Sequence, residues 1–289
     1  MKFWLSLMFE PAESLLAHAR NAEQLGFEGV VLPDHVVITD GARTPHPSGY
    51  PLDPKEIFVD PLLAFAAMSA VTTRLRFLNY IYLVPLRDPF MIAKQLGSLA
   101  LLSNDRFVLG TGVGWLKEEF DTMGRDFSTR GKRLDEILTI LRDFWDDGFA
   151  EFHGQFFDFP RSGMFPVPKQ QIPIWVGGHS PAAARRAASY DGYMPMRVIS
   201  NAHDQLDELS RTEFGLIDNL RKERGDTQQF ERTIVATFLP TAEEGDRIAA
   251  ATGITNLIVE PWTKSDYSKS VDEKMALAAR FAEGSIRQR

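Results

Sequence analysis

Glu28-Gly29-Val30-Val31-Leu32-Pro33-Asp34-His35 is a short apolar run that leaves the core on two ionisable residues. Upstream, Glu13 to Leu25 reads as a helix with Leu15, Leu16, Ala19, Ala22 and Leu25 on one face, closed by Gly26. The run that follows is therefore a buried strand, and Asp34 and His35 stand just beyond its carboxyl end. In repeating β/α architectures that is where sites are built. The pair is the first catalytic candidate, because histidine titrates nearest neutrality and an adjacent carboxylate can orient it or hold its proton. A loop cap beside a surface histidine is the plainer alternative.

Working outward from this unit, strands and helices take turns. Lys2 to Phe9 is strand-like, and a polar, proline-rich loop from Thr39 to Phe58 carries His46 and Gly49, long enough to be a lid. A helix at Pro61 to Val71 leads into a strand from Leu75 to about Val84, then a helix at Phe90 to Leu102 and a strand at Arg106 to Gly110. The helix from about Ser128 to Asp147 is followed by a hairpin turning at His153-Gly154, an insertion off the main rhythm. The rhythm resumes with strands at Ile172 to Val176, Gly192 to Met196, Thr233 to Leu239 and Asn256 to Glu260. Between and after them come helices at Pro181 to Tyr190, His203 to Arg224, Ala242 to Ala251 and Val271 to Glu283. Eight alternations within 289 residues predict a closed (β/α)8 TIM barrel with insertions rather than an open doubly wound sheet. No composition shift or flexible linker divides the chain, so residues 1–289 read as one domain.

Composition narrows the partners. A formal charge of −7 offers no broad basic surface, which argues against nucleic acid and anionic membranes. With no cysteine there is no disulfide, thiolate metal site or cysteine nucleophile, and a cytoplasmic location is expected. The apolar start, Met1 to Phe9, is interrupted by Glu10 and Pro11 and reads as a first strand; no other run approaches membrane-spanning length.

If the barrel closes, the strand ends form one pocket. Two of them are glycine-rich. Ile174-Trp175-Val176-Gly177-Gly178-His179-Ser180-Pro181 runs strand, glycines, cap and first helical proline, and its free backbone N–H groups suit a phosphate. A tight strand-to-helix turn would need the same glycines. Gly110-Thr111-Gly112-Val113-Gly114-Trp115 lacks the dinucleotide spacing G-x-G-x-x-G; its small residues would let a flat ring approach the backbone, with Trp115 as a wall. Trp4, Phe58, Tyr80, Trp115 and Trp262 are candidates for an aromatic substrate chamber, although each taken singly is as readily a core residue.

Several segments together resemble the bacterial luciferase-like monooxygenase superfamily, and within it the branch that uses the deazaflavin coenzyme F420. They are Ala22 to Phe27 with Leu32 to His35; Val84 to Pro89 with Ala93-Lys94-Gln95; Leu109 to Phe120; and Ile172 to Gly178. The resemblance implies a β/α barrel, usually a dimer, that binds the deazaflavin or FMN at the strand carboxyl ends. It places His35 near the reactive face of the ring with Asp34 beside it, and Tyr80-Ile81 at a bulge behind the ring, often a non-proline cis peptide. It places Gly177, Gly178, His179 and Ser180 at the phosphate-bearing tail. Arg87, Arg185 and Arg186 are near enough in sequence to partner that tail. Trp115 stands where sugar-phosphate dehydrogenases of the branch carry a proton-donating glutamate, so a sugar phosphate is not the expected substrate. Leu78-Asn79-Tyr80 also departs from the small residues usual in the third strand.

Hydride transfer to or from a small organic substrate is the function these readings imply, with FMN-dependent monooxygenation as the alternative. A non-catalytic flavin-binding barrel is a further reading, since fold alone does not establish a reaction. A metal-dependent hydrolase is poorly supported, because the six histidines show no H-x-H or H-E-x-x-H spacing.

Overall fold

Short runs of β-branched and aromatic residues, buried on both faces, pair into a parallel ring. In chain order the strands are Lys2–Ser6 (β1), Gly29–Leu32 (β2), Arg76–Asn79 (β3), Phe107–Thr111 (β4), Phe149–His153 (β5), Asp158–Gly163 (β6), Ile174–Gly178 (β7), Gly192–Pro195 (β8), Val198–Ile199 (β9), Glu231–Ala236 (β10) and Asn256–Val259 (β11). The ring runs β1-β2-β3-β4-β7-β8-β10-β11, and β11 pairs with both β1 and β10, which closes an eight-stranded barrel. The computed structural model describes residues 1–46, 49, 52–196, 198–199, 210–262 and 266–286.

Strand alternation sorts the side chains. Trp4, Val31, Leu78, Val108, Trp175, Met194 and Ile258 point inward and fill the barrel, with the Trp4 and Trp175 rings edge-on at 5.6 Å. Their neighbours Phe3, Leu5, Val30, Leu32, Phe77, Phe107 and Leu109 face the helical layer. That layer includes Leu15–Leu25 (α1), Pro61–Ser69 (α2), Pro89–Leu102 (α3), Lys117–Thr122 (α4), Arg130–Asp146 (α5), Pro181–Ala187 (α6), Gly215–Glu223 (α7), Ala242–Thr252 (α8) and Val271–Ser285 (α9). Local chemistry starts them: Asp60 and Asp88 cap α2 and α3, and Thr241 with Glu244 and Ser270 with Glu273 form capping boxes on α8 and α9.

The amino-terminal end of the barrel is sealed by polar side chains. Trp4 Nε1 donates to Asn256 Oδ1 at 2.8 Å, Asn256 Nδ2 donates to Glu231 Oε2 at 2.7 Å, and Lys2 Nζ reaches Glu231 Oε1 at 2.7 Å. Trp4, expected in the substrate chamber, thus belongs to the barrel filling: it does point inward, but from the lower half of β1, while Ser6 and Met8 above it reach the mouth.

Three elements differ from the sequence expectation. The third strand ends at Asn79, four residues after Leu75 rather than near Val84; beyond it Tyr82 makes an isolated bridge to Thr111. Helix α4 was unpredicted, being too short to show a helical period. Within the helix expected from His203 to Arg224, the described part is a wide turn over Ser210–Phe214 leading into α7; residues 201–209 lie outside the described residues, as does Arg197. The hairpin of β5 and β6 is antiparallel, as anticipated. Among the described residues, no helix is long and apolar enough to cross a membrane.

Candidate active site

A cavity of about 260 Å³ opens at the carboxyl ends of the strands. Met8, Phe9, Ile81, Leu83, Val235 and Ile258 are among its apolar walls, and its polar groups come from Ser6, Asp34, His35, His46, Tyr80 and Glu260. Among the described residues, none that lines it is a lysine or an arginine. The loop after β2 contributes His46, Leu52 and Phe58 to its lining.

His35 is fixed by a residue that sequence reasoning did not single out. Its Nδ1 lies 2.8 Å from Glu119 Oε2, while Glu119 Oε1 accepts from the backbone N–H groups of Val36 at 2.6 Å and Val37 at 3.3 Å. Glu119 is fully buried. A carboxylate accepting at Nδ1 commits that nitrogen and leaves Nε2 for a ligand. Phe58 and Trp115 meet the His35 ring edge-on, with centroids at 4.9 Å and 5.9 Å, and prevent it from turning. The neighbouring Glu118 accepts from the backbone of Arg43 at 2.8 Å and Thr44 at 3.1 Å, and bonds with Thr44 and Arg43 hold its carboxyl down to about 2. Two consecutive glutamates of α4 therefore tie down His35 and the first turn of the lid loop. His46 packs its ring on Trp115 at 4.7 Å, and burial, reinforced by His35, pushes its pKa down.

Asp34 corrects the expectation of a His35 partner. Its Oδ2 accepts from Leu83 N at 2.8 Å and Arg87 Nη1 at 2.7 Å, and its Oδ1 accepts from Arg87 Nη2 at 2.7 Å. Burial pushes the Asp34 carboxyl up against the pull of Arg87, so its charge depends on that guanidinium. Arg87 in turn lies over the Tyr82 ring at 4.0 Å. The pair pins the segment after β3 to the loop after β2, and Asp34 acts on the site by positioning.

The Tyr80–Ile81 peptide is cis, at the place the resemblance assigned to a bulge. Tyr80 lines the cavity and its phenol is pushed up by burial. The Ile81 side chain lies against two glycines: a Cβ on Gly112 would meet Ile81 Cδ1 at 2.6 Å, and one on Gly177 would meet Ile81 Cγ2 at 2.7 Å. These glycines make room for Ile81, which forms the cavity wall in their place. Gly114 packs on Phe120, and Val113 is partly buried against the core. Ser180 Oγ accepts from Ala183 N at 3.3 Å as the cap of α6, and His179 is exposed beside it. None of residues 110–114 or 177–180 lines the cavity.

Phe58 and Trp115 reach the cavity wall, but Trp262 does not. Its ring is buried behind β11, 5.6 Å from His18 and 5.9 Å from the Lys274 ammonium. There Glu10 accepts from Lys274 Nζ at 2.5 Å and approaches His18 Nε2 at 3.2 Å. Of the arginines expected at a cofactor tail, Arg87 is held by Asp34 and Arg186 by Asp135, while Arg185 is exposed.

A family model described as luciferase-like monooxygenase matches residues 3–250. An uncharacterised protein of Mycobacterium tuberculosis is 36% identical over 279 residues, covering 93% of each chain. Among solved structures, monooxygenase RslO1 from Streptomyces bottropensis superposes with a TM-score of 0.79 at 19% identity over 98% of both chains. An F420-dependent secondary alcohol dehydrogenase in complex with an F420-acetone adduct gives 0.74 at 17% identity, over 97% of this chain and 98% of the other. The oxygenating constituent of 3,6-diketocamphane monooxygenase from a Pseudomonas putida plasmid, in complex with FMN, gives 0.64 at 17% identity, over 99% of this chain and 80% of the other. At these identities the structural matches speak for the fold, and the sequence match carries the assignment: the chain belongs to the luciferase-like monooxygenase family.

Proposed function

We propose that this protein is an oxidoreductase that binds the deazaflavin coenzyme F420 across the barrel mouth and passes hydride between it and a small organic substrate. The observation that carries the reading is an apolar cavity lined by a histidine whose ring is held by a buried carboxylate, His35 on Glu119. The cavity suits a flat, largely apolar ring: Ile81, Leu83, Val235 and Ile258 offer wide apolar walls, and the glycines beneath Ile81 let that side chain lie flat against the barrel rim. When bound, the ring supplies two-electron hydride chemistry. His35 orients the substrate and handles its proton at Nε2, Tyr80 and Ile81 support the ring, and the apolar walls keep water away. Gly177, Gly178, His179 and Ser180 receive the tail, with Arg185 as the cation beside them.

Pairing of Arg87 and Arg186 leaves few cations for a long anionic tail, and this favours FMN, with its single phosphate, as the second reading. The same water-poor cavity would then serve monooxygenation. Absorbance titrations of the protein with F420 and with FMN at low salt decide between them. Binding of the deazaflavin is expected; tight FMN binding without it would move the reaction to oxygenation, and binding of neither would remove the flavin reading. Exposed apolar side chains on α2 and α3, Leu63, Met91 and Leu102, support a homodimer formed through that face, which light scattering in solution would test.

A further inference from the structure

Glu260, at the end of β11, lines the cavity and has no part in the reading above. Its Oε1 is buried and without a hydrogen-bond partner, while the carboxyl accepts from Tyr267. The groups that act on it from behind are Glu10 after β1, Tyr267 on the following loop, Lys274 on α9 and the adjacent Trp262. Burial alone would raise the Glu10 carboxyl, but hydrogen bonds from His18 and Lys274 hold it below the usual carboxylate range. The Lys274 charge is thus already matched by Glu10. Burial and the Glu10 charge favour the protonated Glu260 acid and outweigh the opposing pull of Tyr267, Lys274 and Trp262.

We propose that Glu260 is the proton donor of this cavity and that the substrate is an uncharged apolar molecule bearing a carbonyl group, or the corresponding alcohol. The transfer step rests on the hydride-transfer reading; the protonation of Glu260 does not. A carbonyl carbon takes the hydride from the reduced deazaflavin or flavin, which is thereby oxidised, and the carbonyl oxygen takes the Glu260 proton. The products are the alcohol, the oxidised ring and a Glu260 carboxylate that is reprotonated from solvent; in the reverse direction the carboxylate receives the hydroxyl proton. His35 and Glu260 divide the work: Glu119 holds His35 at Nδ1 so that Nε2 orients the substrate, and burial keeps Glu260 a donor. Among the described residues the wall carries no lysine or arginine and is mostly apolar, which agrees with a neutral substrate. The Glu260 carboxyl is pushed up to about 7, chiefly by burial, where a donor serves near neutral pH.

Infrared difference spectra of the cofactor-free protein between pH 5 and 9 test the first half. A protonated-carboxyl band titrating near pH 7 is expected in the wild type and in His35→Gln and is expected to vanish in Glu260→Gln, an isosteric change that keeps the acceptor for Tyr267. Persistence of the band in Glu260→Gln overturns the assignment. For the second half, reduction of uncharged apolar ketones by the cofactor-loaded enzyme should lose about 10²-fold in kcat in Glu260→Gln with KM little changed. The pH limb near 7 should go with it, and Glu260→Asp should recover part of the rate. A pH profile identical to wild type overturns the donor role. If neither cofactor binds but the infrared band is lost, the hydride-transfer reading falls and the protonated Glu260 stands.

Discussion

Glu231 and Glu260 stand on neighbouring strands at opposite ends of the barrel and are held in opposite states. At the amino-terminal end burial would raise Glu231, but hydrogen bonds from Lys2, Thr255 and Asn256 overcome it and keep the carboxyl below its ordinary range. At the mouth burial outweighs the pull of Tyr267, Lys274 and Trp262 on Glu260 and lifts it to about 7. The difference is one of supplied donors. The sealed end satisfies its polar groups and is thereby a stability device; the mouth leaves a buried carboxyl oxygen unmet and a histidine with one nitrogen committed, which is the arrangement a ligand completes.

Substitutions that respect this division should separate function from stability. The largest effect is expected at His35. His35→Ala should keep the fold and most cofactor affinity while slowing turnover roughly 10²–10⁴-fold, the scale of losing an acid–base group. Steady-state kinetics with a matched thermal melt check it, and unchanged turnover would remove His35 from the mechanism. Glu119→Gln should lower turnover less, because the amide oxygen can still accept from one donor.

The ion pair at the mouth is a test of the opposite kind, since it is structural although it borders the site. Arg87→Met should cost about 3–5 kcal/mol in urea denaturation by stranding the buried Asp34 carboxyl. Adding Asp34→Asn should return much of that loss, because the two side chains act as one unit. Additive losses would mean that the pair contributes little as a pair.

At the sealed end, Glu231→Ala leaves the Asn256 amide, the Thr255 hydroxyl and the Lys2 ammonium without their acceptor. A loss of roughly 2–3 kcal/mol is expected, with cofactor affinity unchanged at permissive temperature. Weakened affinity in a folded variant would break the division between the two ends.

The barrel was legible in the sequence because glycine, proline and capping residues punctuate each β/α unit, and strands buried on both faces read as continuous apolar runs. The Tyr80–Ile81 position was legible only through the family resemblance. Glu119 was not legible: it lies 84 residues from His35 on a helix of six residues, where two adjacent glutamates read as surface charge. Asp34 was assigned to its sequence neighbour because no local signal shows that its side chain turns to Arg87. Trp4 and Trp262 read as chamber candidates because they are aromatic, and what decides their location is depth along the strand for one and the face of the sheet for the other. Glu260 reads as a strand-end residue, but its state depends on burial and on Glu10, Tyr267 and Lys274, which are distant in sequence or on other elements. Gly178, read as a phosphate cradle, is also a packing position: a Cβ there would meet Ala183 Cβ at 2.5 Å, so a substitution at Gly178 would disturb the turn as well as any tail site.

The smallest effect expected is also the sharpest comparison, because it reads both glutamates in one measurement of stability against pH. For Glu231 the folded carboxyl binds its proton more weakly than the unfolded one, so its contribution is present above the ordinary glutamate value near 4.5 and is lost as pH falls through the lower folded value. For Glu260 the sign reverses. The folded carboxyl binds its proton more tightly, so the native state is favoured below 4.5, and that advantage declines as pH rises from 4.5 to about 7. A displacement of that size corresponds to an upper bound of roughly 3 kcal/mol, reduced by whatever solvent reaches the carboxyl through the open mouth. Urea denaturation of the cofactor-free protein from pH 4 to 8 should therefore show Glu260→Gln flattening the decline between about 5 and 7, and Glu231→Gln altering the acid limb below that window. If Glu260→Gln instead changes only the acid limb, its carboxyl is ionised like that of Glu231, and the two ends of the barrel hold their glutamates in the same state.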